Sequence, residues 1–230
     1  MKVGVLLSTF EDSAGPALAG AQAAAAARLD GVFAYDHLWP MHSPTRPALA
    51  PFPVLAAVAT RWPDLVVGPL IARVGLVGTA HLVRQFTTLH DLAPGRVVAA
   101  LGTGDNLSAD ENDAYGLVRR DADERRALLR EAAAALRDAM PVWIGAGAAA
   151  TNALARELGV TLNLWGVPAA EVAAAALDGP VNWAGPLRGD VEGTLDQLAT
   201  AGATWAVAAP GADVARLANW RRTRALTTFH

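Results

Sequence analysis

Gly31-Val32-Phe33-Ala34-Tyr35-Asp36-His37-Leu38-Trp39-Pro40 decides the fold. An apolar run without alternation ends in an aromatic ring, a carboxylate and an imidazole. The same design recurs in Arg96-Val97-Val98-Ala99-Ala100-Leu101-Gly102-Thr103-Gly104-Asp105-Asn106. Apolar runs that do not alternate fit parallel strands buried on both faces. Polar and ionisable residues just past the carboxyl end of such a strand fit a (β/α) barrel, which keeps its chemistry on that edge.

Outward from these two segments the pattern repeats. Strands are predicted at Lys2–Ser8, Gly31–Asp36, Val66–Ala72, Val97–Gly102, Val142–Gly145, Thr161–Leu164, Val181–Ala184 and Thr204–Ala208. Helices are predicted at Pro16–Leu29, Val54–Trp62, Ala80–Leu92, Arg119–Ala139, Thr151–Leu158, Pro168–Leu177, Glu192–Ala201 and Asp213–Arg222. Eight strands each followed by a helix give a single-domain α/β fold, a (β/α)8 TIM barrel over residues 1–230. Trp143, Trp165, Trp183 and Trp205 recur about every 20 residues, in or at the end of a strand. That period supports short βα units, with most of these rings filling space. The Pro-rich stretch Pro40–Pro53 and the polar stretch Thr103–Gly116 read as long loops on the functional edge.

Composition narrows the classes. A chain of 230 residues that is 53% hydrophobic can bury one sizeable core. Its net charge of −3 leaves no basic stripe for nucleic acid. The absence of cysteine excludes disulfides, thiolate chemistry and Cys-bound metals. No uninterrupted apolar stretch is long enough for a membrane span. The opening Met1–Ser8 reads as a first strand rather than a signal peptide, so a cytoplasmic protein is expected.

Several constellations could carry chemistry. His37 at a strand end can relay a proton near neutral pH, and Asp36 could fix its tautomer. The plainer reading is a helix cap or a satisfied loop histidine, which the flanking Tyr35 and Trp39 weaken. Gly102 and Gly104 would let the backbone approach a ligand, with Thr103, Asp105 and Asn106 offering polar groups. A plain turn with an Asx bond competes with that reading. Gly145-Ala146-Gly147-Ala148 opens a helix, where backbone N–H groups suit an anion. Read literally, Gly145–Ala150 also spells a dinucleotide fingerprint. The expected acid some 20 residues on is missing from Leu164–Val167, so a phosphate-binding barrel loop is preferred. Arg188 follows strand seven, where barrels often bind phosphate. No His-Glu-x-x-His cluster and no Gly-x-Ser-x-Gly elbow is found, so neither a metal site nor an α/β-hydrolase is expected.

Four blocks in order resemble the bacterial luciferase-like monooxygenase superfamily, in particular its branch that uses the deazaflavin coenzyme F420. They are Asp36-His37; Val67–Ile71 with Leu82–Leu89; Gly95–Val98 with Leu101–Asp105; and Pro141–Gly147. The resemblance implies a barrel that binds F420, or alternatively FMN, at the carboxyl end of its strands. It implies hydride transfer to or from a small organic substrate, with His37, Asp36 and Asp105 as catalytic residues. Cofactor contacts would come from Leu70, Ile71, Gly102, Thr103, Gly104, Asn106, Gly145, Ala146, Gly147, Ala148 and Arg188. It also implies a homodimer and a non-prolyl cis peptide in strand three, at Leu70–Ile71. Family members usually carry an insertion before strand five, whereas Leu136–Met140 here runs directly into it. An FMN monooxygenase is the runner-up to the deazaflavin reading, and the missing insertion keeps a non-catalytic cofactor-binding member beside both. A phosphate-substrate aldolase or isomerase is disfavoured, since the sole lysine is Lys2.

Overall fold

In the computed structural model, which describes residues 1–40, 43–104 and 108–227, the apolar runs become parallel strands with helices around them. The strands are β1 (Lys2–Leu6), β2 (Gly31–Ala34), β3 (Val66–Pro69), β4 (Ala72–Arg73), β5 (Ala99–Gly102), β6 (Val142–Gly145), β7 (Thr161–Trp165), β8 (Val181–Gly185) and β9 (Ala203–Ala208). The helices are α1 (Gly15–Ala26), α2 (Pro51–Arg61), α3 (Thr79–Leu92), α4 (Ala109–Ala114), α5 (Ala122–Leu136), α6 (Ala149–Leu158), α7 (Ala169–Ala176), α8 (Val191–Thr200) and α9 (Val214–Thr227). The sheet order is β3-β2-β1-β9-β8-β7-β6-β5-β4. Its two ends meet, because the Val67 N–H donates to the Arg96 carbonyl at 2.8 Å and the Val67 carbonyl accepts from the Val98 N–H at 3.0 Å. The sheet is thereby closed into a barrel.

β3 and β4 are two halves of one barrel strand, so the nine strands fill the eight positions expected. The break falls at Leu70–Ile71, and that peptide bond is cis, as the resemblance implied. Local details differ from the sequence reading: helix α2 begins at Pro51, inside the predicted loop Pro40–Pro53, and α9 runs to Thr227 rather than Arg222. The polar loop after β5 contains a short helix, α4. The next helix starts at Ala122 rather than Arg119, because Asp121 caps it. The Asp121 side chain accepts from the Glu124 N–H at 2.8 Å, and Glu124 accepts from the Asp121 N–H at 2.9 Å. This reciprocal pair satisfies two of the donors that every helix start leaves open.

Strand side chains divide between two cores. On β1, Val3 and Val5 join the large cluster between barrel and helices, while Leu6 points into the barrel with Phe33, Val98, Trp143, Trp205 and Val207. Phe33 stacks on Trp143 at 5.2 Å and meets Trp205 edge-on at 5.6 Å. These large rings need small neighbours. A Cβ on Gly31 would lie 2.6 Å from the Val66 carbonyl and 3.2 Å from the Trp205 ring. Trp183 instead faces outward, donating its ring N–H to the Val167 carbonyl at 2.9 Å. The filled interior makes the barrel a rigid base for the loops at its carboxyl edge. At the opposite edge, Asp30 accepts from the Val3 N–H at 2.8 Å and from Arg221 at 2.7 and 2.9 Å, fastening α9 to the first two strands.

Candidate functional site

His37 lies three residues past β2, with its side chain 26% exposed at the barrel mouth. Its Nδ1 lies 2.9 Å from Glu111 Oε1. Glu111 stands on α4 and is 1% exposed, so its carboxylate needs donors. It has three: His37 Nδ1, the Leu38 N–H at 3.0 Å and Arg73 Nη2 at 2.8 Å. A carboxylate bonded to a guanidinium is an acceptor only, so the shared proton belongs to His37 Nδ1. That tautomer leaves Nε2 free to exchange a proton with a ligand.

Arg73, at the end of β4, is the hub. Its backbone N–H donates to Asp36 Oδ2 at 3.0 Å and its Nε to the Asp36 carbonyl at 3.0 Å. Asp36 therefore braces the arginine. Burial pushes its carboxyl above the ordinary aspartate value, and the Arg73 bond and charge offset only part of that rise.

Aromatic rings surround His37. Phe10 stacks on Tyr35 at 5.2 Å and lies 6.3 Å from the imidazole. Trp165 meets Tyr35 edge-on at 6.2 Å and is 48% exposed, so this member of the tryptophan series faces the mouth instead of the core. Burial pushes the Tyr35 hydroxyl up to about 12, which keeps it protonated at neutral pH.

The remaining candidates do not share one location. Leu70 is buried in the barrel, and Ile71 packs beside it. Ile71 occupies the space that a side chain on Gly145 would need, so that glycine has a packing reason, whereas a Cβ on Gly102 would sit in ordinary contact with Ile71 at 3.4 Å. Thr103 and Gly104 lie at the mouth, and Thr103 bonds locally to the Gly104 carbonyl. Asp105 and Asn106 lie outside the described residues. Ala146, Gly147 and Ala148 are exposed at the start of α6. The Ala146 N–H is taken by the Asn163 carbonyl at 2.7 Å, and the Gly147 N–H by Asn152 Oδ1 at 3.0 Å. Ala148 caps α6 without a side-chain acceptor, leaving first-turn donors for a ligand. Arg188 is exposed on the loop after β8. Among the described residues, no cluster of His, Asp or Glu could hold a metal, and no helix is long and apolar enough to cross a membrane.

Arg73 and Glu111 did not emerge from the sequence. Arg73 stands one residue beyond the predicted strand Val66–Ala72, on the same edge as Asp36, and that position was the available signal. Glu111 is one of several acids in the polar loop, and nothing local distinguishes it.

A barrel with this edge matches known proteins. The luciferase-like monooxygenase family profile matches residues 1–178, and the chain belongs to that family. A stretch of 121 residues is 36% identical to an F420-dependent glucose-6-phosphate dehydrogenase of Beutenbergia cavernae. That stretch is 52% of this chain but spans only about a third, 34%, of the relative's length. The fold resembles an F420-dependent secondary alcohol dehydrogenase in complex with an F420-acetone adduct, with TM-score 0.78 and 12% identity over 95% of this chain and 97% of the other. It also resembles the monooxygenase RslO1 from Streptomyces bottropensis, with TM-score 0.72 and 14% identity over the full length of both.

Proposed function

We propose that this chain is an oxidoreductase that moves a hydride between coenzyme F420 and a small organic substrate. The observation that carries the reading is His37 held by buried Glu111, with Nε2 left for a ligand. The residues present suit the cofactor. Phe10, Tyr35 and Trp165 offer aromatic surface to a planar ring, Leu70 and Ile71 an apolar floor, and the first turn of α6 donors for a phosphate.

F420, when bound, supplies the hydride chemistry, and the protein orients it and moves protons. His37 would give or take the accompanying proton at Nε2. Glu111 and Arg73 would hold the imidazole, and Asp36 would hold Arg73. Asp105 would serve as a supporting carboxylate at the same edge. Thr103, Gly104 and Asn106 would flank the cofactor, and Gly147, Ala148 and Arg188 would meet its phosphate tail. Gly102 would let the backbone approach the cofactor, and Gly145 would contribute by seating Ile71. Similarity to relatives described as F420-dependent supports this reading.

Titration of the protein with oxidised F420 and separately with FMN, followed by fluorescence, tests it. Tight binding of F420 and weak binding of FMN is expected. Preference for FMN would move the reading to a flavin monooxygenase, and binding of neither would overturn it.

A further inference from the structure

A second polar cavity adjoins the mouth. It has a volume of about 220 Å³ and is bounded by the end of β4, the turn at Thr103–Gly104, α4 and the start of α5. Four arginines line it: Arg73, Arg119, Arg120 and Arg125. Asp113 is the only acid among its described lining residues, and Arg119 already pairs with it. Arg73 is engaged by Glu111. Arg120 reaches only two backbone carbonyls, those of Gly75 and Val118, at 3.4 and 3.5 Å. Neither Arg120 nor Arg125 has a carboxylate partner among the described residues, so two of the four charges are uncompensated.

Unmet hydrogen bonds point the same way. Arg73 is 7% exposed, and its Nη1 is buried without a partner. The Nε of Arg125 is likewise buried and unpartnered. Guanidinium donors withdrawn from water and left unpaired are costly, and carboxylate or phosphate oxygens match their fork geometry. Polarity and charge thus both ask for an oxyanion. The volume suits an anionic group and is below that of a pocket for a whole cofactor.

We propose that this cavity is an oxyanion site for a phosphate or carboxylate group. The same Arg73 that would meet the anion through Nη1 holds Glu111 through Nη2, so the anion would lie one guanidinium away from the His37–Glu111 pair. Two sources share this chemistry: an anionic substrate whose other end reaches His37, or the acidic tail of the cofactor. Choosing between them rests on the functional reading above; the existence of the site does not.

Calorimetric titration of the protein with inorganic phosphate, at ionic strength held constant with chloride, tests the site. A saturable site that depends on the cavity arginines is expected, distinct from any phosphate held at the first turn of α6. Arg120→Gln and Arg125→Gln should each weaken it by about tenfold or more, as loss of a charge-assisted contact implies. Arg61→Gln, on the exposed end of α2, should leave it unchanged. Phosphate should also raise the thermal midpoint of the parent protein where chloride does not, a readout independent of how the variants fold. Absence of saturable binding at millimolar phosphate would overturn the proposal, as would equal binding by parent, R120Q and R125Q. Repeating the F420 titration with phosphate present assigns the source. Displacement of F420 from the parent that is lost in R120Q identifies the cofactor's tail in this cavity, and F420 binding unaffected by phosphate, or displaced equally in R120Q, identifies the substrate. If F420 fails to bind at all, the functional reading falls while the phosphate result still stands or fails by itself.

Discussion

Asp36 shows how burial and bonding compete on one side chain. Its carboxyl is raised above the ordinary aspartate value of 3.8 because desolvation outweighs the Arg73 bond. A raised folded value means that the native state holds the proton more tightly than the unfolded chain does. The associated stability is complete below 3.8 and is lost as pH rises through the folded value. Asp36→Asn cannot ionise yet keeps an oxygen for the Arg73 N–H. Urea midpoints across a pH series should therefore fall less for this variant than for the parent over the range just above 3.8. His37 and Glu111 divide the work differently. His37→Ala should lower kcat by about 10²–10⁴-fold, the usual contribution of general acid–base catalysis, while F420 affinity is kept. Glu111→Gln should lower kcat by roughly 10–100-fold, the scale for a residue that orients another. Steady-state kinetics paired with cofactor titration separates these effects from a simple loss of binding.

At the scale of elements, the mouth depends on how β4, β5 and β6 pack around Ile71. Gly102 and Gly145 face that side chain from two neighbouring strands. Gly145→Ala should cost about 1–3 kcal/mol through overpacking. Ile71→Ala alone should cost about 2–5 kcal/mol through the cavity it leaves. In the double variant the added methyl enters that cavity, so its cost should be less than the sum of the two single costs. Denaturant unfolding of the four proteins measures this coupling, and strict additivity would refute the contact. The capped start of α5 rests on the D-x-x-E pattern of Asp121–Glu124, which the predicted start at Arg119 passed over. Helix α4 was not legible, because six residues are too few for a periodic signal.

For the whole molecule, closure brings together residues that are remote in the chain. Arg221 and Asp30 are 191 positions apart, and their paired bonds join the last helix to the first strands. Asp30→Asn removes the charge but keeps a polar group. It should lower stability by about 1–2 kcal/mol, since Arg221 is partly solvent-screened. Chemical denaturation in low and high salt checks both the loss and its screening. The site is built in the same way. His37 and Glu111 are separated by 74 positions, and Arg73 and Glu111 by 38, yet closure of the barrel sets them in contact.

Local pattern determined much of this protein by itself. The eightfold alternation and the polar edge past β2 and β5 follow from residues adjacent in the chain, while the place of the cis bond was implied by the family resemblance. Period and turn chemistry report on short stretches, and parallel strands buried on both faces leave an unambiguous apolar signature. Only the tertiary structure decided what those residues touch. It set Asp36 against Arg73, enclosed Glu111 behind His37, and assigned Gly145 to the packing of Ile71. Such partnerships depend on distances between loops, which barrel closure establishes and no window along the chain contains.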